Sequence, residues 1–182
     1  MIFAKKEIVL KNGEKAILRS PEKEDGEKLL NLIKTASGET ENLLRYPEEW
    51  NLSIEQEEAW IESGLKDTDS INIVCFIGND AAGSCEIRRL MGKKMRHRAT
   101  IGISILKKYW NLGIGSALFV EMINFAEEND IEIIELEFIE GNERAQKLYE
   151  KFGFKVISER PNAFKLKDGS YRSEFYMQKL LK

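Results

Sequence analysis

The stretch WNLGIGSA, residues 110–117, places two glycines and a serine at the mouth of what reads as a helix. A helix N-terminus presents four unpaired N–H groups and roughly half a positive charge. Glycine lets the backbone come close to an anion. Gly113, Ile114, Gly115 and Ser116 are therefore candidates to cradle a phosphate or pyrophosphate. A tight turn that only seats a helix on a sheet has the same signature. Two nucleotide motifs fail on spacing. A P-loop closes its glycine run with Lys and Ser/Thr, whereas Ser116-Ala117 stands here. A dinucleotide fingerprint wants Gly or Ala three residues past Gly115, where Leu118 stands. It also wants its first glycine directly after a strand, and here Leu106 to Leu112 intervene between Ile105 and Gly113.

The elements around this turn follow from periodicity and punctuation. Two short alternating runs flank Asn12-Gly13, a strong hairpin signal. A first helix is expected over 25–36, with Leu29, Leu30, Leu32 and Ile33 on one side. Ser53 and Gln56 form a capping box for a second helix over 54–63, which Gly64 is placed to end. Residues 71–78 read as an interior strand. Residues 81–90 alternate, with Cys85 and Ile87 on one face and Ser84, Glu86 and Arg88 on the other. Residues 98–106 alternate again, setting Ile101, Ile103 and Ile105 against Thr100, Gly102 and Ser104. The helix after the glycine turn carries Ile114, Leu118, Met122 and Phe125 at helical spacing. Residues 132–138 form a strand, with Glu135 and Glu137 opposite Leu136. Asn142 is placed as the N-cap of a last helix, with Glu143 in its first turn and Gly153 at its end. Two closing strands surround Asp168-Gly169. The order β-β-α-α-β-β-β-α-β-α-β-β implies a mixed α/β sheet in a single domain, 1–182.

Composition narrows the function. The 182 residues are 42% hydrophobic and 32% charged, enough to bury a core. A formal charge of −3 argues against general nucleic-acid binding. No apolar run reaches the length of a membrane span. The charged N-terminus lacks the apolar segment of a signal peptide, so a cytoplasmic location is expected. Cys75 and Cys85 then read as buried, reduced thiols. One histidine leaves almost no material for a His-based metal site, and no metal is expected.

Together, TIGISILKKYWNLGIGSALF and EFIEGNERAQKLYEKFGFK resemble the two core motifs of the GCN5-related N-acetyltransferases. In that family a strand leads into an R/Q-x-x-G-x-G/A turn and a helix. A strand and a helix reading N-x-x-A-x-x-L-Y-x-x-x-G-F come next. Asn142, Ala145, Leu148, Tyr149, Gly153 and Phe154 fill the second motif, and Gly113 and Gly115 fill the first. Trp110 departs from it, standing where Arg or Gln is usual. The closing SEFYMQKLL also resembles the family's last hairpin. The resemblance implies a sheet whose fourth and fifth core strands splay apart, with acetyl-CoA as co-substrate in the gap. It implies that the backbone of Ile103, Ser104, Ile105 and Leu106 pairs with the acyl and pantetheine amides. Asn111, Leu112, Gly113, Ile114, Gly115 and Ser116 would hold the pyrophosphate, while Asn142, Ala145 and Tyr149 would flank the pantetheine arm. The partner implied is a small-molecule or peptide amine; a homodimer is an allowed assembly.

Acetyl transfer to an amine poses two proton problems. An alkylamine, pKa about 10.4, arrives protonated and must lose a proton before it attacks. The sulfur leaves as a thiolate and benefits from a donor. By resemblance, Tyr149 is the candidate acid. Glu86, Glu135 and Glu137 are candidate bases, each on a polar strand face, with Glu86 and Glu137 the leading pair. His97 stands eight residues before Ile105, about 26 Å along an extended strand, and Lys93 to Arg98 read as a solvated tip. The resemblance places the acceptor at the first two helices and the link over 37–52 between them, whose Glu39, Glu41, Glu48, Glu49, Arg45, Tyr46 and Trp50 would suit a cationic amine through charge and cation–π contact.

Overall fold

Asn12-Gly13 turns the chain between β1 (Lys6–Val9) and β2 (Lys15–Arg19). Gly13 takes φ +86°, a left-handed conformation that L side chains rarely adopt. The computed structural model describes residues 1–182. After β2 come α1 (Gly26–Glu39) and α2 (Ile54–Lys66). Three strands follow, β3 (Ser70–Ile77), β4 (Asp80–Arg89) and β5 (Arg98–Ile105). The second half alternates α3 (Ile114–Glu128), β6 (Ile133–Ile139) and α4 (Glu143–Lys151), then closes with β7 (Lys155–Lys165) and β8 (Tyr171–Leu180). The element order is the one read from periodicity.

The Ser53–Gln56 capping box forms in both directions. Gly64 does not end α2, which continues to Lys66. A Cβ at Gly64 would meet nothing nearer than Asn72 Nδ2 at 3.8 Å. Its φ is not left-handed either, so it behaves as an ordinary helical residue. Asn142 caps α4 by accepting the Ala145 N–H at 3.3 Å, and Gly153 closes it at φ +85°.

All eight strands join one sheet in the order β1-β2-β3-β4-β5-β6-β8-β7. Every pairing is antiparallel except β5 with β6. On one face α3 and α4 cover the main core, which includes Leu18, Ile73, Cys85, Ile87, Leu118, Phe119 and Ile134. On the other face α1 and α2 cover a smaller cluster with Leu32, Ile61, Val74 and Phe76. Cys75 and Cys85 are both buried and unpaired. Burial pushes the Cys75 thiol up to about 12, leaving it an inert apolar group. No helix is long and apolar enough to cross a membrane.

Candidate active site

The gap in the sheet follows from its pairing. β5 lies beside β6 only at Arg98↔Ile133, Ala99↔Ile134 and Thr100↔Glu135. Beyond Thr100, β5 stays on β4 as far as Ile105, and β6 stays on β8 as far as Ile139. The two strands therefore part. The Leu106 N–H donates to Ala82 C=O at 3.0 Å, and Arg98 C=O accepts from Leu90 N–H at 2.9 Å. Even-numbered residues of β5 thus face β4. By strand alternation, the C=O of Ile101 and the N–H and C=O groups of Ile103 and Ile105 face the gap without a strand partner, the Ile101 N–H being the last group of β5 that β6 engages, through Thr100↔Glu135. This refines the expected pairing set. Ile103 and Ile105 face the gap, whereas the backbones of Ser104 and Leu106 face β4. Leu106 is also buried beneath α1 and does not line the cleft.

The gap opens into a cleft of about 1350 Å³, larger than the roughly 300–1,000 Å³ of most small-molecule sites. It has room for a co-substrate and an acceptor together. At one end stands the glycine turn. Gly113 has φ +96° and Asn111 has φ +65°, so the chain doubles back and aims its N–H groups outward. The first helical bond runs from Ala117 N–H to Gly113 C=O. The N–H groups of Ile114, Gly115 and Ser116 have no intrahelical partner. A Cβ on Gly115 would come within 2.9 Å of Leu148 Cδ2. Gly115 therefore also lets α3 and α4 approach each other closely. Leu112 does not line the cleft; its C=O accepts from Lys11 N–H at 3.0 Å and ties the turn to the first hairpin.

Positive charge gathers here. Lys11 passes beside Gly113. The Lys151 ammonium donates to Ser116 Oγ at 3.1 Å, and Arg144 donates to Asn111 Oδ1 at 2.9 Å. None of these three has a carboxylate partner, and all line the cleft. Trp110, unassigned by the family pattern, has two jobs. Its indole N–H donates to Ile105 C=O at 2.8 Å, and its ring lies under the Arg144 guanidinium at 4.5 Å. The cation absent at position 110 is thus offered from α4. This signal was present in the sequence as the Arg of N-E-R-A.

Tyr149 enters the cleft from α4. Its ring is gripped by Phe119, Phe138 and Phe154, with centroids 5.5, 6.0 and 6.4 Å away. Burial pushes its phenol up to about 12, so it is protonated at neutral pH and able to donate. Asn142 and Ala145 also line this wall.

Across the gap, Glu137 projects from β6 on the face away from Phe138. Its strand partner is Tyr176, and Glu174 lies diagonally beside it through Ile139↔Glu174. Burial raises the Glu137 carboxyl; the nearby Glu174 charge adds to this against the opposing pull of Arg160. Glu174 is 3% exposed and meets Arg160 from outside. Glu135 is spent on Arg98, which chelates it with contacts of 2.6, 2.7 and 3.1 Å, and on Gln178. Arg98 is consequently part of the cleft wall, whereas the tip residues Lys93, Lys94 and Arg96 are exposed. The structure does not bring Glu86 to this group. It stands outside the cleft, paired with Arg88. His97 likewise lies outside the cleft.

The 37–52 link does reach the cleft, but through Thr40, Asn42, Leu43 and Leu44 and not through its carboxylates. Glu39 accepts Lys107 N–H at 2.6 Å, Glu49 accepts Tyr46 N–H at 2.7 Å, and Glu48 pairs with Lys167. The Tyr46 hydroxyl accepts the Lys167 N–H at 3.1 Å, tying the link to the β7–β8 turn. Ser104 Oγ is a further unforeseen feature, buried without a hydrogen-bond partner on the cleft wall.

A parallel strand pair thus parts beside a glycine turn, with a buried tyrosine and a raised carboxylate lining the cleft between them. Residues 36–154 match the Acetyltransferase (GNAT) family, and the chain belongs to it. One relative is the L-amino acid N-acetyltransferase AaaT of Escherichia coli (strain K12). It is 30% identical over 109 residues, which cover 59% of this chain and 67% of that protein. The structure is also similar to that of a GNAT-family acetyltransferase from Streptococcus pneumoniae, with TM-score 0.85 and 26% identity over 91% of this chain and 99% of that one. The fold recurs in yncA, a putative acetyltransferase from Salmonella typhimurium solved with its cofactor acetyl-CoA. There the TM-score is 0.78 at 16% identity, covering 91% of this chain and 93% of that one.

Proposed function

We propose that this chain transfers the acetyl group of acetyl-CoA to a primary amine by direct attack, with Glu137 as base and Tyr149 as acid. The observation that carries the reading is the run of unpartnered backbone groups on β5 leading straight to the cradle at Gly113–Ser116. An extended pantetheine arm, rich in amides, completes the missing strand against the Ile101 C=O, Ile103 and the Ile105 N–H. The pyrophosphate then meets the N–H groups of Ile114, Gly115 and Ser116, with Lys11, Arg144 and Lys151 around it. Asn142 keeps its side-chain N–H groups for an amide carbonyl of the arm, since its Oδ1 caps α4.

This alignment sets the thioester between Glu137 and Tyr149. The ammonium loses one proton to Glu137, whose raised affinity makes it a better base than an exposed glutamate. The free amine attacks the thioester carbon, and the carbonyl oxygen gains charge within reach of a backbone N–H on β5. As the C–S bond breaks, Tyr149 donates its proton to the sulfur. The proton shed by the new amide nitrogen returns to the site. The balance is one amide, one free thiol and one proton released to solvent. No bond to the protein forms.

Two measurements test this reading. Acetyl-CoA should raise the melting temperature where NAD and ATP do not. Thiol release from acetyl-CoA should appear with at least one member of a panel of alkylamines, amino acids, aminoglycosides, polyamines and peptides. Stabilisation by NAD alone would overturn the reading.

A further inference from the structure

The two ends of the cleft carry opposite charge. Five cationic side chains line it: Lys11, Arg98, Arg144, Lys147 and Lys151. Lys11, Arg144 and Lys151 surround the cradle, and Lys147 lies between Arg144 and Lys151 on α4. Only Arg98 stands at the other end, where Glu135 consumes it. Glu137 and Glu174 line the same end. Arg160 reaches Glu174 from the rim, with 59% of its side chain in water, and does not line the cleft. A carboxylate brought here with the acceptor would meet Glu137, which has no ion-pair partner, while both nearby cations are already spent on Glu135 and Glu174.

Apolar surface in the cleft is also unaccounted for. Leu44 and Ile157 both line the cleft, yet are 69% and 55% exposed. Ile157 is the additional residue of a β-bulge, between the pairs Val156↔Met177 and Ser158↔Tyr176. A bulge re-aims a side chain that regular pairing would direct elsewhere, and such irregularities cluster beside active sites. Tyr176 lies directly opposite Glu137. An aromatic ring thus stands directly opposite the carboxylate that receives the amine, and two exposed branched aliphatic groups line the same cleft.

We infer that the acceptor is a primary amine with an apolar body and no carboxylate, an alkyl- or arylalkylamine, in contrast to the amino acids named for the Escherichia coli relative. The inference rests on the acetyltransferase reading and refines its acceptor. Glu137 takes the ammonium; Leu44, Ile157 and Tyr176 cover the body. An α-carboxylate would face Glu137 with no free cation to receive it, and an unmatched like charge strongly disfavours a partner.

Matched pairs that differ only in the carboxylate test it: phenethylamine against L-phenylalanine, and isopentylamine against L-leucine, by thiol release at saturating acetyl-CoA. Each amine should exceed its amino acid in kcat/KM by about tenfold or more. Ethanolamine, lacking the apolar body, should fall below both amines. Ile157→Ala should raise KM for phenethylamine several-fold while KM for acetyl-CoA stays as in the parent. Equal or better use of the amino acids overturns the inference and leaves the acetyltransferase reading standing. So does ethanolamine matching phenethylamine, or an unchanged phenethylamine KM in the Ile157 variant. Turnover confined to the aminoglycosides, polyamines or peptides of the wider panel overturns the inference alone, whereas no thiol release with any member of that panel removes the acetyltransferase reading as well.

Discussion

Tyr149→Phe deletes one oxygen and leaves the ring. The ring contacts with Phe119, Phe138 and Phe154 persist, so the aromatic cluster that holds α4 is retained. The hydroxyl makes no hydrogen bond within the protein, so its loss orphans no buried partner. Stability should therefore change by less than about 1 kcal/mol. The rate effect is of another size. A positioned general acid contributes about 10²–10⁴-fold, and a thiolate is a fair leaving group, which favours the low end. A loss near 10²-fold in kcat corresponds to about 2.7 kcal/mol of barrier. The phenol stays protonated to about 12, so deprotonation of Tyr149 should impose no alkaline limb on kcat below that range. The assay is steady-state thiol release, with a melting curve and calorimetric titration of acetyl-CoA on the same preparation. The expected result is a hundredfold lower kcat with unchanged melting temperature and affinity. A kcat within about twofold of the parent would remove Tyr149 as the acid. A collapse in melting temperature would show that the hydroxyl holds the structure, contrary to the packing described.

Other perturbations separate the remaining roles. Glu137→Gln should lower kcat/KM by about a hundredfold or more. Because the Glu137 carboxyl is raised, the parent should lose activity as pH falls through a value above the ordinary glutamate range, and a pH–rate profile of the variant should lack that limb. Arg144→Ala should weaken acetyl-CoA binding about tenfold, the worth of one charge-assisted phosphate contact; an unchanged Kd by calorimetry would exclude the contact. Asp25→Asn should destabilise the fold by about 3 kcal/mol, at the low end for a buried pair because a fifth of the Arg19 side chain stays in water. Burial alone would raise the Asp25 carboxyl, but the two-pronged Arg19 contact and the Glu22 N–H outweigh it and hold it low. The stability it contributes is therefore present above the ordinary aspartate value and is lost as pH falls through the lowered one. Melting temperature against pH should show that acid-side loss in the parent and a flatter curve in the variant.

Local signals told more about the elements than about the site. The Ser53 capping box, the Asn12-Gly13 hairpin and the N-x-x-A-x-x-L-Y helix are all encoded within a few residues, and each stands where sequence places it. Gly64 misled because a glycine ends a helix only when the chain turns left-handed there, and at Gly64 the chain stays helical through Leu65 and Lys66. The choice among Glu86, Glu135 and Glu137 was not legible. All three share the polar face of the sheet, and long-range register alone decides that Glu86 meets Arg88, Glu135 meets Arg98 and Glu137 faces the gap. Glu174 and Tyr176 were invisible for the same reason: the order β6-β8-β7 brings the final strand beside β6. The carboxylates of the 37–52 link looked like acceptor ligands because their partners, Lys107 and Lys167, are far away in sequence. Trp110 departs from the family pattern in sequence, and only the fold lays Arg144 of α4 across its ring.

The central claim is direct transfer from acetyl-CoA to an amine within the gap between β5 and β6. Mass spectrometry of the products and the intact protein, after incubation with isotopically labelled acetyl-CoA and phenethylamine, tests it most directly. The account predicts labelled N-acetyl product, an equal amount of free thiol and an unlabelled protein. Label transferred to the protein during turnover, or an intact thioester after exposure to every class of amine tested, would contradict it.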